Sequence, residues 1–109
     1  MNKTALHMQA CLQAWMHCET LLHTLAEQST SFSSRTRQVV EECAQVCLYT
    51  GHAVKNNLPN SSQMALLCVG LCEECAEVCD RYSAQLFRQC AQACRQCSTA
   101  ITSLASAAV

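Results

Sequence analysis

The chain has 109 residues, a net charge of -1 and only 14% charged side chains. That length holds one small core and no second domain, so residues 1–109 read as one unit. The charge excludes a nucleic-acid surface, which needs a concentrated excess of Lys and Arg. With 2 Gly, 1 Pro and 15 Ala, the composition favours helices over short strands joined by turns.

The first 28 residues include His7, Gln9, Gln13, His17 and Glu19, which interrupt any apolar leader segment. No stretch approaches the ~18–20 apolar residues of a membrane span. Eleven cysteines in a chain with this start predict a soluble, cytoplasmic protein. In a reducing compartment patterned cysteines bind metal or catalyse more often than they form bridges. Their odd number also prevents complete internal pairing.

Four segments follow in chain order. The first runs from about Thr4 to Glu27, with Met8, Cys11, Trp15, Cys18, Leu22 and Leu25 at helical steps. The run Ser29 to Ser34 competes for its own backbone hydrogen bonds and supplies an N-cap for the next segment. The second segment, about Ser34 to Asn57, places Thr36, Val40, Cys43, Cys47, Thr50 and Val54 on one face. Gly51 within it signals either fraying or close packing. Pro59 is expected to stop that helix, and Asn60 or Ser61 to cap the third.

The third segment carries Met64, Cys68, Cys72, Cys75 and Cys79, and the fourth Cys90, Cys94, Cys97, Ile101 and Leu104. The step from Cys79 to Cys90 stays in phase for one continuous helix. A rod from 61 to 105 would be about 68 Å long at 1.5 Å per residue, too long for two partners to cover. A break near Ser83 and an all-α, antiparallel up-down four-helix bundle are therefore expected.

Within the segments, successive cysteines are separated by 7, 4, 4, 3, 4, 4 and 3 residues. Each step returns to the same helix face, so the thiols occupy an arc of about 60° that also holds the large apolar residues. Cys11, Cys18, Cys43, Cys47, Cys68, Cys72, Cys75, Cys79, Cys90, Cys94 and Cys97 then line the core. Cysteine as a small buried hydrophobe accounts for one or two of these. Cys11 and Cys18, on a stripe with Trp15, are the two it suits best. Eleven would displace the Leu, Ile and Val that normally fill a bundle, of which the chain has 20. Helical i,i+3 and i,i+4 neighbours keep their Cβ atoms about 5–6 Å apart. A disulfide wants ~3.5–4.5 Å.

That separation suits an ion between two thiolates. Soft thiolates select Cu(I), Zn(II) or iron–sulfur clusters. The loop-borne spacing of ferredoxins is missing. Zinc is a rival, since Cys72-x2-Cys75 and Cys94-x2-Cys97, with eighteen residues between them, match the spacing of a zinc ribbon. A zinc-stabilised helical interaction module with one four-cysteine site is one alternative, and a thiol redox sensor another. Cu(I) accepts two or three sulfur donors, so one CxxxC pair holds an ion and many ions fit along one core. No catalytic carboxylate pair stands out, and no thiol is singled out as a nucleophile, so no enzyme is expected.

The phrases Leu71-Cys72-Glu73-Glu74-Cys75-Ala76-Glu77-Val78-Cys79, Phe87-Arg88-Gln89-Cys90-Ala91-Gln92-Ala93-Cys94-Arg95-Gln96-Cys97 and Glu42-Cys43-Ala44-Gln45-Val46-Cys47 resemble the bacterial copper-storage proteins. The resemblance extends over essentially the whole chain and is nearest to the cytosolic branch. It implies an antiparallel bundle, commonly tetrameric, storing multiple Cu(I) ions on inward-facing cysteines and exchanging them with a copper chaperone or other Cu(I) carrier. Family members often carry further cysteines where this chain has Phe87 and Ile101, and histidines in the link before the last helix. Residues 80–89 here contain none.

In such a bundle His7, Met8 and Met64 gather at one end near Cys11 and Cys68, a candidate mouth for incoming copper. His52 falls opposite Cys43, and His17 and His23 fall off the Cys11 stripe. Glu41, Glu42, Glu73, Glu74 and Glu77 read as solvated faces. Leu66, Leu67, Val69, Leu71 and Val78 extend the apolar surface of the third segment, which favours a homo-oligomer.

Overall fold

A computed structural model describes residues 2–27 and 32–109. Four helices follow in chain order: α1 (Lys3–Glu27), α2 (Ser34–Lys55), α3 (Ser61–Cys79) and α4 (Gln85–Ser106). They pack α1 on α2, α2 on α3, α3 on α4 and α4 on α1, which leaves α1/α3 and α2/α4 as the diagonals of an up-down bundle. Its extents of 42 × 24 × 17 Å match the length of a single helix at about 1.5 Å per residue.

The helix ends are set by local chemistry. Asn2 Oδ1 accepts from the Ala5 amide at 2.8 Å and starts α1. Ser33 accepts from the Thr36 amide at 3.0 Å and starts α2. The earlier residues of the expected Ser/Thr connector, Ser29, Thr30 and Ser31, lie outside the described residues.

The end of α2 departs from expectation. Asn57, with φ 51°, takes the left-handed conformation. Its amide bonds to Val54 O at 3.2 Å, and the Leu58 amide reaches Ala53 O at 2.9 Å. This paired arrangement satisfies the last carbonyls and stops the helix before Pro59 is reached. Asparagine tolerates a positive φ better than most side chains, so Asn57 supplies the stop that was assigned to Pro59. Asn60 takes the N-cap position of α3, as one of the two expected residues, but makes no side-chain capping bond, and Ser61 is the first helical residue. Its hydroxyl donates back to Leu58 O at 2.7 Å and Ala53 O at 3.1 Å.

The break between α3 and α4 falls at Asp80–Ala84, where the long-rod argument places it. Tyr82 holds the turn. Its ring stacks on Phe87 at 4.2 Å and meets Phe32 edge-on at 6.4 Å. Its hydroxyl accepts from the Ser33 amide at 3.3 Å and bonds the Thr36 hydroxyl at 3.2 Å. The aromatic cluster closes this end of the bundle. At the other end Ile101 is fully buried, and Thr50 donates to Met64 O at 3.3 Å, tying α2 to α3.

Gly51 marks close packing. A Cβ there would stand 3.3 Å from Leu12 Cδ2 and 3.4 Å from Cys11 Cβ, so its missing side chain lets α2 approach α1 beside the first thiol.

Candidate metal centre

All eleven cysteines are unbridged and have 0% exposure. Stepping by three or four keeps each set on the stripe that faces the axis. Between them the core holds small or branched apolar residues, among them Ala14, Ala44, Ala65, Ala76 and Ala91. Alanine at these places lets the helices close until sulfurs from different helices touch.

The contacts run along the bundle. Cys11 Sγ is 3.9 Å from Cys97 Sγ. Cys47 lies 3.7 Å from Cys68 and 3.5 Å from Cys72, and Cys68 lies 3.9 Å from Cys72. Cys43 bridges to the next level, 3.9 Å from both Cys47 and Cys72 and 3.8 Å from Cys94. Cys18 follows, 3.9 Å from Cys94 and 3.7 Å from Cys90. These separations are far longer than the ~2.05 Å of a disulfide bond.

Three groups bring their sulfurs within 4.8 Å of one another: Cys18/Cys43/Cys75/Cys94, Cys47/Cys68/Cys72/Cys97 and Cys75/Cys79/Cys90. The first takes one thiol from each helix. The zinc-ribbon set does not converge in this way. Cys75 and Cys94 belong to the first group and Cys72 and Cys97 to the second, because continuous helices set these pairs at different heights where a knuckle turn would fold them together.

Hydrogen bonding divides the thiols of each four-membered group. Cys43 is held down to about 3 by the neighbouring thiols of Cys18 and Cys47, and Cys94 is lowered by those of Cys18 and Cys43. Cys68 is lowered by Cys11 and Cys47, and Cys97 to about 6 by the same two neighbours. Their partners move the other way. Cys18 and Cys72 are raised by the neighbouring Cys43, Cys75 by Cys18 and Cys47 by Cys43, with burial adding to each. Neighbouring thiols are thus pushed in opposite directions, and a soft cation binding among them displaces their protons.

His7, Met8 and Met64 lie at the Cys11 end, all partly buried. Consecutive residues of a helix point about 100° apart, so His7 and Met8 do not share a surface. His7 faces a 540 Å³ groove between α1 and α4 lined by Ala93, Gln96 and Ala100. Met8 faces a 170 Å³ groove with Leu12, Leu48 and Gly51 between α1 and α2. His52 and His23 are exposed and His17 is partly buried, and among the described residues none of the three belongs to a group of converging metal-ligand atoms. Glu41, Glu42, Glu73, Glu74 and Glu77 are exposed as expected. Arg35 pairs with Glu74 at 3.3 Å, and Ser98 donates to Glu73 at 3.1 Å.

The grouping across helices is what sequence spacing missed, since nothing in a spacing tells which heights coincide. Phe87 carried a readable signal, standing on the Cys90 stripe where a thiol would fit. Its partner Phe32 carried none.

The chain is similar in fold to the Cu(I)-bound copper storage protein BsCsp3, with a TM-score of 0.90 and 24% identity over 95% of this chain and 99% of that one. No curated protein matches it in sequence. The family model for copper storage proteins matches residues 1–106, nearly the full length of the thiol-lined bundle. The chain belongs to the copper storage protein family.

Proposed function

We propose that this protein stores Cu(I), holding multiple ions on the thiolates of Cys11, Cys18, Cys43, Cys47, Cys68, Cys72, Cys75, Cys79, Cys90, Cys94 and Cys97. The observation that carries the reading is the run of buried sulfurs from Cys11 to Cys90, in contact at 3.5–3.9 Å except where Cys97 joins Cys47, Cys68 and Cys72 within 4.8 Å. Each ion needs two or three of these donors, and neighbouring ions share them. Binding replaces thiol protons and ties the four helices together, so the loaded bundle is more stable than the empty one.

Residues 1–109 act as one storage domain and carry out no turnover. Unpaired thiols in this number suit a reducing compartment, which supports a cytoplasmic location. Copper is exchanged with a chaperone or similar Cu(I) carrier at the end bearing His7, Met8 and Met64, whose imidazole and thioethers are soft enough to pass it on. Leu66 and Leu67, 46% and 52% exposed on the outer face of α3 beside the open space over Gly70, support a homo-oligomer, with a tetramer as the form.

The test is an anaerobic titration of the reduced protein with Cu(I) against a chromogenic chelator. A plateau on the order of ten ions per chain is expected from about one ion per thiol. A plateau of zero or one overturns the reading.

A further inference from the structure

The two four-cysteine groups have a property that Cu(I) does not require. Cys18/Cys43/Cys75/Cys94 and Cys47/Cys68/Cys72/Cys97 share no residue, and in each the four sulfurs lie within 4.8 Å of one another. A tetrahedron with zinc–sulfur bonds of about 2.3 Å has edges of about 3.8 Å. The recorded edges are 3.8 and 3.9 Å in the first group, at Cys43–Cys94 and Cys18–Cys94. In the second they are 3.5, 3.7 and 3.9 Å, at Cys47–Cys72, Cys47–Cys68 and Cys68–Cys72. The third group offers three sulfurs and borrows Cys75 from the first, so it makes no further four-donor site.

We infer that the copper-free protein binds two Zn(II) ions, one in each of these tetrahedral sites. A closed set of four thiolates with no open position is the arrangement of a structural zinc ion, and zinc has no geometric demand beyond the tetrahedron. The sites lie at successive heights of one axis, joined by the 3.9 Å contacts of Cys43 with Cys47 and Cys72. Zinc would therefore clamp the core through all four helices before copper arrives. Each ion displaces thiol protons to solvent on binding. Cu(I), which binds soft sulfur with fewer donors, then replaces zinc by thiolate exchange without any change of oxidation state.

The test titrates Zn(II) chloride into the reduced, metal-free full chain against a chromogenic chelator. Co(II) in a parallel sample reports tetrahedral thiolate coordination by its visible absorption. Two ions per chain are expected, with the tetrahedral Co(II) spectrum saturating at two. Cys43→Ser and Cys72→Ser each leave one ion, their combination leaves none, and Tyr82→Phe, at the aromatic end away from both groups, leaves two. If either variant loses its helical circular dichroism, Cys18→Ser and Cys97→Ser probe the same two groups. No tight zinc, more than two ions or an octahedral Co(II) spectrum overturns the inference. A single ion kept by Cys43→Ser and lost by Cys72→Ser also overturns it, pointing to the ribbon set instead. A Cu(I) titration of the same preparation separates the two ideas, since a plateau on the order of ten there upholds copper storage whatever zinc does.

Discussion

Cys43 of α2 and Cys94 of α4 sit on diagonally opposed helices, yet their sulfurs are 3.8 Å apart. The axis of the bundle at this height is therefore no wider than two thiols. Replacing Cys43 by Leu inserts carbons where there is no room and is expected to cost about 1–3 kcal/mol in the copper-free protein. Denaturant unfolding measures this. Cys43→Ser, close to isosteric, should retain the fold while lowering copper capacity, which separates packing from ligation.

The raised thiols predict how the copper-free fold responds to base. Cys18, Cys47, Cys72 and Cys75 hold their protons above the ordinary thiol value of 9.0. Below that value the folded and unfolded chains both keep these protons, and the stability is fully present. Above it the unfolded chain releases them and the folded chain does not, so stability falls by about 1.4 kcal/mol per pH unit for each such thiol. Anaerobic urea unfolding at about pH 10 and about pH 11 should show the loss, because the lowered thiols Cys43, Cys68, Cys94 and Cys97 are by then deprotonated in both states and no longer offset it. Copper loading should remove it, because the thiolates are then already deprotonated in the fold.

Ile101 stands one turn beyond Cys97 on the same face of α4 and is fully buried. Ile101→Cys extends the sulfur run toward the Cys11 end and is expected to raise copper capacity by about one ion. The lost side-chain volume should destabilise the copper-free form by about 1–3 kcal/mol. An unchanged plateau in the titration would show that the run ends at Cys97.

Gly51 tests the closeness of α1 and α2. Gly51→Ala gains helix propensity but sets its Cβ against Leu12 and Cys11, and the two effects should cancel to within about 1 kcal/mol. Gly51→Leu cannot fit and should lower the melting temperature markedly. Its copper capacity should fall mainly through Cys11, the thiol beside the crossing.

Tyr82→Phe keeps the stack on Phe87 and removes the hydroxyl shared by Ser33 and Thr36. A loss of about 1 kcal/mol is expected, with no change in copper bound. A lower copper plateau in this variant would show that the aromatic end takes part in holding ions.

The helices, their faces and the placement of every cysteine on an inward stripe were legible in the chain itself. Steps of three and four are a local property, fixed by about 100° of rotation per residue, and the break near Ser83 followed from length alone. The stop at Asn57 was not legible, because a left-handed residue and its two backward hydrogen bonds appear only when the turn is built. Nor were the metal groups. The spacing of Cys72, Cys75, Cys94 and Cys97 suggested one site, whereas the bundle divides them between two. Which thiols meet depends on how far each helix slides along its neighbours, and that is decided by Gly51 against Leu12, by the core alanines and by Tyr82 at the closed end. The sequence by itself determined that sulfur lines the core; only the packing of one helix against the next decided which sulfurs stand together.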